Sequence, residues 1–490
     1  MAFVFSIPTA LAGVVAYFIA RYTYRFFFHP LSAIPGPTFA AISYLPEFYH
    51  DVVRKGPIIR INPREVHIKD PSFYDEIYAG GIRIRQKDPA FTVALLTPGA
   101  MASTNDHEIH RLRRGVLSNF FSKRSVTDLE SVIQDKVNTL KERFMGAFHE
   151  ETVLGLPSVF AALTADMITH YCHGESRGYL IAPDFKNNHM EALDSLFTLF
   201  HINRFIPLLA HILARLPLES MKKWGILSGT IGELVDTRLQ TRQRAAEALQ
   251  STEKKTTGPR TLFDALTADS VPKEERTVNR LEDEASVLFG AGTETTARTL
   301  SIAAFYLAKN RTLLEKLRGE LKLVMPSPGS KPTWSQLEKL PLLVRNYRFS
   351  PAEMNRVSVD IFQGGVIQEA LRLSYGLSGR LARIAPTENL VYKDHIIPAG
   401  TPVSQAIYFV HHDPTIFPEP EKFDPERWIR ASDDGTNLKK YMISFNKGSR
   451  QCLGMKYVTN FQIPQITADF TTKPCICGDV SDFGYVCPKL

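Results

Sequence analysis

The chain has 490 residues, 44% hydrophobic and 22% charged, which supports a large buried core and excludes a disordered chain. Its net charge is +7, yet no basic run interleaves with aromatics, so nothing indicates a nucleic-acid groove. The five cysteines are odd in number and scattered, which excludes a secreted disulfide framework and points to a reducing compartment.

Residues 2–20 are almost wholly apolar, broken by Ser6, Pro8, Thr9, Gly13 and Tyr17. About 20 apolar residues span a bilayer as a helix, so 1–20 is predicted to be a transmembrane anchor. Arg21 and Arg25 follow, with Tyr22, Tyr24 and Phe26 to Phe28 as an interfacial aromatic belt. Positive charge after the helix holds that side in the cytosol. A cleaved signal peptide fits less well, because no positive stretch precedes the apolar run and no small-residue cleavage site is clear. The prolines of His29 to Pro37 make 21–40 a stiff basic hinge.

Ile58 to Asn62 and Glu65 to Ile68 alternate like two strands around Pro63-Arg64. Asp106 to Phe121 reads as a basic helix with His107, His110, Arg111, Arg113 and Arg114, and with Leu112, Val116 and Leu117 facing inward. Residues 129–250 show amphipathic helices with short breaks. A long helix is predicted over Asn279 to Asn310. Its middle reads Gly290-Ala291-Gly292-Thr293-Glu294-Thr295-Thr296, small residues, an acid and hydroxyls that suit a helix poorly. A local rule broken inside a long helix marks a functional position.

Further on, Glu369 and Arg372 stand three apart on one helix face, where they can pair, and Phe423 to Trp428 carries Arg427. Arg380 to Arg383 precedes a strand-like run, Asn389 to Tyr392. The stretch Phe445-Asn446-Lys447-Gly448-Ser449-Arg450-Gln451-Cys452-Leu453-Gly454 places one cysteine in a glycine-punctuated loop. Gly448 and Gly454 permit backbone conformations that side chains forbid, so several amides can turn toward one sulfur. Hydrogen bonds and nearby positive charge keep a thiolate deprotonated.

Phe445, Gly448, Arg450, Cys452 and Gly454 stand at the offsets of the haem-ligand loop of the cytochromes P450, and residues 1–454 resemble that family. The resemblance implies a mainly α fold with a small β-sheet subdomain, a single large haem domain over 41–455 behind the N-terminal transmembrane helix. It implies haem b with Cys452 as its axial thiolate, a ligand that favours O–O cleavage. Ala291 and Gly292 would leave room for oxygen; Thr295 would hydrogen-bond it and Glu294 would relay protons from solvent. Arg114, Arg383 and Arg450 would anchor the haem propionates, and His110, where the family places a tryptophan, would join them. Glu369, Arg372 and Arg427 would lock into a buried triad that fixes the Cys452 loop.

The implied reaction is monooxygenation of a lipophilic small molecule, with electrons from NADPH through a cytochrome P450 reductase. The catalytic domain would sit on the cytosolic side of the endoplasmic reticulum membrane behind a single pass. Lys447, Lys456, Arg111 and Arg113 would dock an acidic reductase surface. Residues 107–126 and 374–428 are most similar to fungal microsomal members of the trichodiene-oxygenase-like group, which implies a terpenoid or polyketide intermediate of secondary metabolism as substrate. Two alternatives stay open. One is a reductase-independent haem-thiolate isomerase or dehydratase, which an altered acid–threonine pair would favour, whereas Glu294-Thr295 is intact. The other is a catalytically impaired membrane protein.

Two departures from the family motivate the second alternative. Leu340 to Leu343 would run almost directly into a helix like Val366 to Glu369, but Val344 to Gly365 intervenes. Every valine codon begins GT and one glutamine codon ends AG, so an unspliced intron over Val344 to Gln363 would translate this way; a surface loop is the other reading. In the tail, 456–490, Pro464 would break the helix expected after the cysteine. Cys475, Cys477 and Cys487 lack a spaced fourth ligand for zinc, and a misspliced or frameshifted end is the expectation.

Overall fold

The computed structural model describes residues 7–35, 57–185 (save 123, 126 and 127), 230–250, 261–337 (save 328, 329, 331 and 332) and 364–458 (save 378). Residues 344–363 and 459–490, the greater part of the predicted insertion and of the atypical tail, lie outside the described residues.

Three of the helices named here begin where a side chain satisfies a free amide. After α1, Ile7–Thr23, comes α2, His107–Phe120, started by Asp106, whose carboxylate accepts from Ile109 N at 2.8 Å. Then come α3, Glu130–His149, and α4, Leu156–His173, which Gly174 closes at φ 82°, a left-handed cap that favours glycine. Next are α5, Thr230–Gln250, and α6, Val278–Lys309, capped by Thr277. Three more follow: α7, Arg311–Leu321, capped by Asn310; α8, Gly365–Ser374; and α9, Glu426–Asp433.

The main core forms around α6, whose 32 residues run about 48 Å. Helices α4, α5 and α8 pack along it. Nearly every residue of α4 from Val159 to Cys172 is buried, as an apolar helix in the middle of a large domain should be. Helix α6 runs unbroken through Gly290 to Thr296, and Thr293 Oγ1 and Thr295 Oγ1 place their hydrogens on the carbonyls of Phe289 and Ala291 at 2.8 and 2.7 Å.

A small β subdomain forms the second core. Its five-stranded sheet has the order β1-β2-β7-β4-β3, from β1 Ile58–Arg60, β2 Val66–Ile68, β3 Gln86–Lys87, β4 Arg383–Ile384 and β7 Pro402–Ser404. A separate hairpin joins β5, Leu390–Tyr392, to β6, His395–Ile397. Leu31 and Ile34 pack into this second core with Val66, Ile68, Tyr392 and Val403, so the chain after α1 is fastened to the sheet.

The structure bears on three sequence expectations. No helix among the described residues is long and apolar enough to cross a membrane, so the expected transmembrane anchor is not shown. The expected hinge at 21–40 is helical at its start, since a π-helical turn, Tyr24–Phe28, continues α1. Gly365 belongs to α8 rather than to an inserted segment: it is fully buried, and any Cβ there would run into the Pro425 carbonyl.

Candidate active site

The site is built outward from α8. Glu369 and Arg372 share its buried face, and Arg372 Nε and Nη2 donate to Glu369 Oε2 and Oε1 at 3.0 and 2.8 Å. Arg427, from the first turn of α9, donates through Nε to Glu369 Oε1 at 3.1 Å. Glu369 also accepts from Asp424 N at 3.0 Å and Trp428 Nε1 at 2.9 Å. The remaining guanidinium hydrogens go to main-chain carbonyls: His411, Pro420 and Lys422 for Arg372, and Pro418, Glu419 and Lys422 for Arg427. One buried carboxylate and two cations thus tie α8 to the segment 411–428.

His411 carries that tie onward. It is fully buried; its Nδ1 lies 2.9 Å from Arg372 O and its Nε2 accepts from Ile443 N at 3.2 Å. A donor on Nδ1 and an acceptor on Nε2 require the neutral ring. Burial, with Arg372 beside it, lowers its pKa to about 3. From Ile443 the chain enters the cysteine loop, where Asn446 N donates to Ile443 O at 2.8 Å and Cys452 N to Phe445 O at 2.9 Å. Gly448 has φ 73°, and a Cβ there would strike the carbonyls of Tyr78 and Ala79, so both conformation and space demand glycine. Gly454 differs from expectation. Its φ is −78°, open to any residue, and a Cβ there would meet nothing within 4 Å.

The Cys452 thiol is solvent-accessible although the surrounding protein encloses it. Desolvation raises its pKa, opposed by hydrogen bonds from the amides of Gly454 and Met455 and by the charge of Arg114. Arg114 Nη1 donates to Gln451 O at 2.7 Å, which holds α2 against the loop.

Around this loop lies a group of basic side chains that feel one another. His110 is held neutral, its pKa lowered to about 2 by burial and by Arg450, Lys87 and Arg114. Burial and the charges of Arg383 and Arg450 bring Lys87 down to about 7, and Arg450 falls to about 10 through burial, Arg383 and Arg114. Register explains the closeness: Lys87 on β3 and Arg383 on β4 are direct partners across the ladder. Arg450 is largely committed to structure. Its Nε, Nη1 and Nη2 donate to the carbonyls of Arg85, Thr104, Asn105 and Asp106 at 2.7–3.3 Å. Glu284 and Asp106 offset part of this charge, and further anions among the cations would offset more.

On α6, Thr295 Oγ1 spends its hydrogen on Ala291 O and keeps its lone pairs as acceptors. Ala291 is exposed, Glu294 and Thr295 half-buried. Gly292 does not provide open room: a Cβ there would sit 2.8 Å from Ile168 Cγ1, so its bareness serves the α4–α6 packing. Open space lies at Gly290, where a Cβ would meet nothing within 4 Å. Helix α2 also departs from expectation, since Leu112 is 42% exposed whereas Leu117 is fully buried. Among the proposed docking cations, Arg113 is turned inward to Glu275 at 2.7 Å and Thr104 Oγ1 at 2.8 Å. Lys447 pairs with Asp75 at 2.6 Å, while Lys456 and Arg111 are exposed.

These residues fit a flat group that carries iron and two carboxylates. The thiol supplies a soft ligand with amides turned toward it, the cations want acids, and beside the thiol a Cβ at Gly454 would meet nothing within 4 Å. Reading the sequence alone misses Lys87, His411 and Trp428. The indole N–H of Trp428, beside Arg427, needs a buried acceptor and was the one available signal.

A family model described as Cytochrome P450 matches residues 53–345 and 363–457. The chain is 42% identical over 467 residues to Cytochrome P450 monooxygenase aflU of Aspergillus parasiticus, covering 92% of this chain and 88% of that one. It is 42% identical over 463 residues to Cytochrome P450 monooxygenase TRI4 of Fusarium sporotrichioides, covering 92% and 85%. It is 40% identical over 459 residues to conidiogenone synthase PchP450 of Penicillium rubens, covering 90% and 87%.

Proposed function

The chain belongs to the cytochrome P450 family, and from that premise we propose that it inserts one atom of molecular oxygen into a lipophilic terpenoid or polyketide intermediate of fungal secondary metabolism. Haem b, when bound, supplies the redox chemistry that activates oxygen. Cys452 would supply its thiolate ligand; the amides of Gly454 and Met455 and the charge of Arg114 favour the thiolate against the desolvation that raises the thiol's pKa. Lys87, His110, Arg114 and Arg383 would hold its carboxylates, joined by whatever Arg450 has left beyond its main-chain bonds. Thr295, with its own hydrogen fixed on Ala291 O, would offer its lone pairs as a hydrogen-bond acceptor, and Glu294 beside it would pass protons inward from solvent. Glu369, Arg372, Arg427 and His411 keep the loop rigid, so the sulfur is positioned before any ligand arrives.

Electrons come from NADPH through a reductase. Arg111 and Lys456 offer it exposed positive charge, with Lys447 available if its pair with Asp75 opens. Such charges mainly speed the encounter. We place the N-terminal segment at the endoplasmic reticulum membrane with the catalytic domain in the cytosol. Val14, Val15, Ile19, Phe27 and Phe28 expose half or more of their surface, and Arg21 and Arg25 follow the apolar turns.

The observation that carries this reading is one thiol with two amides turned to it, beside a cluster of cations. Purified protein should bind haem and, reduced under CO, give a thiolate-type Soret band that Cys452→Ala abolishes. With a P450 reductase and a terpenoid or polyketide panel, NADPH consumption should then yield monooxygenated product. An unaltered spectrum in Cys452→Ala would overturn the ligand assignment. A thiolate spectrum without NADPH consumption would favour the isomerase or dehydratase reading.

A further inference from the structure

Two buried acids of α6 take no part in the oxygen chemistry described above. Glu284 is 0% exposed, and its Oε2 accepts from Met101 N at 2.9 Å. Asp283 is 4% exposed, and its Oδ2 accepts from Gly99 N at 2.8 Å. The approach is close enough that a Cβ on Gly99 would sit 2.9 Å from that same oxygen. Both acids therefore grip one short segment, 96–105, which enters from a residue at positive φ, Leu96 at 55°, and contains a single 3-10 turn, Met101–Ser103.

The other side of this strap faces the cofactor-side cations. Lys87 Nζ donates to Ala102 O, and Arg450 Nη1 and Nη2 donate to Thr104 O at 2.7 Å and Asn105 O at 2.8 Å. Thr104 Oγ1, itself bonded to Ala100 O at 2.9 Å, accepts from Arg113 at 2.8 Å. Arg238 of α5 shares Asp283 with the strap, donating to Oδ1 at 2.7 Å, and also reaches Glu282 at 2.6 Å. Arg280 pairs with Glu284 at 2.5 Å, so the charge of that acid is compensated on α6 itself.

We propose that Asp283 and Glu284 are positioning residues: by holding the amides of Gly99 and Met101 they fix the strap whose carbonyls aim Lys87 and Arg450 at the haem carboxylates. This rests on the haem reading above. An outer partner that orients an inner ligand typically matters 10–100-fold in affinity. What counts here is the hydrogen-bond acceptor, not the negative charge. That distinguishes positioning from a plain buried charge, because the two respond differently to a neutral isostere.

The test compares Glu284→Ala with Glu284→Gln in the haem-loaded protein. Both remove the negative charge that faces Arg280, so the charge loss is common to the two; only glutamine keeps an oxygen acceptor for Met101 N. Haem dissociation to an excess apo-acceptor should be about 10–100-fold faster in Glu284→Ala and near wild type in Glu284→Gln. The haem midpoint potential should fall in Glu284→Ala, since carboxylates that lose their cations favour the ferric state. Removing a nearby negative charge alone would raise the potential in both variants. Equal dissociation rates in the two variants, or a rise in both potentials, overturns the proposal. If Glu284→Ala does not fold, Asp283→Ala against Asp283→Asn makes the same contrast through Gly99. Wild-type protein that takes up no haem would instead sink the underlying haem reading.

Discussion

Lys87 and Arg383 are direct partners across the β3–β4 ladder, two cations set opposite each other inside the protein. Like charges in that relation destabilise a sheet by about 0.2–1 kcal/mol. The arrangement is sensible only where an anion joins them. Lys87→Met should therefore stabilise the haem-free protein by about that amount while it weakens haem retention. Thermal melts of the free and loaded forms check this, and a variant less stable in both forms would refute it.

Lys87 also sets a pH dependence. Burial, with Arg383 and Arg450 nearby, lowers its folded pKa to about 7, below the ~10.4 of an unfolded lysine. Between these values the unfolded chain holds a proton that the folded one lacks, so stability rises with pH. Below about 7 both states are protonated and the penalty is fully present. The haem-free protein should gain stability from pH 7 toward 10, and Lys87→Met should flatten that slope. Denaturant midpoints across the range measure it.

The cysteine loop and the Glu369–Arg372 pair were legible because local motifs of a few residues encode them. The long helix was legible too, predicted over 279–310 and found over Val278–Lys309. Residues whose meaning depends on distant partners were not. Lys87 sits in a two-residue strand with no periodicity, and its significance comes from Arg383, far along the chain. His411 looks like any histidine until Arg372 O and Ile443 N close on it. Gly292 was expected to leave room for oxygen, whereas its bareness answers to Ile168 on another helix.

That correction separates two glycines that flank Ala291. Gly292→Ala must displace the Ile168 side chain and should cost about 1–3 kcal/mol. Gly290→Ala meets nothing and gains helix propensity, so it should stabilise by up to about 1 kcal/mol. Adding Ile168→Ala to Gly292→Ala should cost less than the two single changes summed, a coupling that a double-mutant cycle reads directly.

Glu369 accepts from Arg372, Arg427, Trp428 and the Asp424 amide, all inside the protein. Glu369→Ala should leave two buried cations uncompensated and cost about 3–5 kcal/mol. Trp428→Phe keeps the ring packing on Phe417 and removes one hydrogen bond to a charged acceptor, about 1.5–3 kcal/mol. Urea unfolding of the two variants should show that order; a Trp428→Phe loss as large as that of Glu369→Ala would mean the indole acts through packing instead.

The last prediction concerns the chain between the two stretches that match the family. The interval 346–362 falls inside the segment read as an insertion, and Gly365, just beyond it, is locked under the Pro425 carbonyl as the first residue of α8. Deleting Val344 to Gln363 joins Leu343 to Gly364 and leaves α8, Glu369 and the tight Gly365 contact untouched. If the segment is translated intron, the shortened chain should express better, retain haem and unfold at the same or a higher temperature, and transcripts lacking it should be found. If it is a genuine loop, closing it costs only modest entropy and its removal should change stability little, but no such transcript will exist. Sequencing the mature transcript decides between them, and a shortened chain that no longer folds would show that these residues belong to the domain.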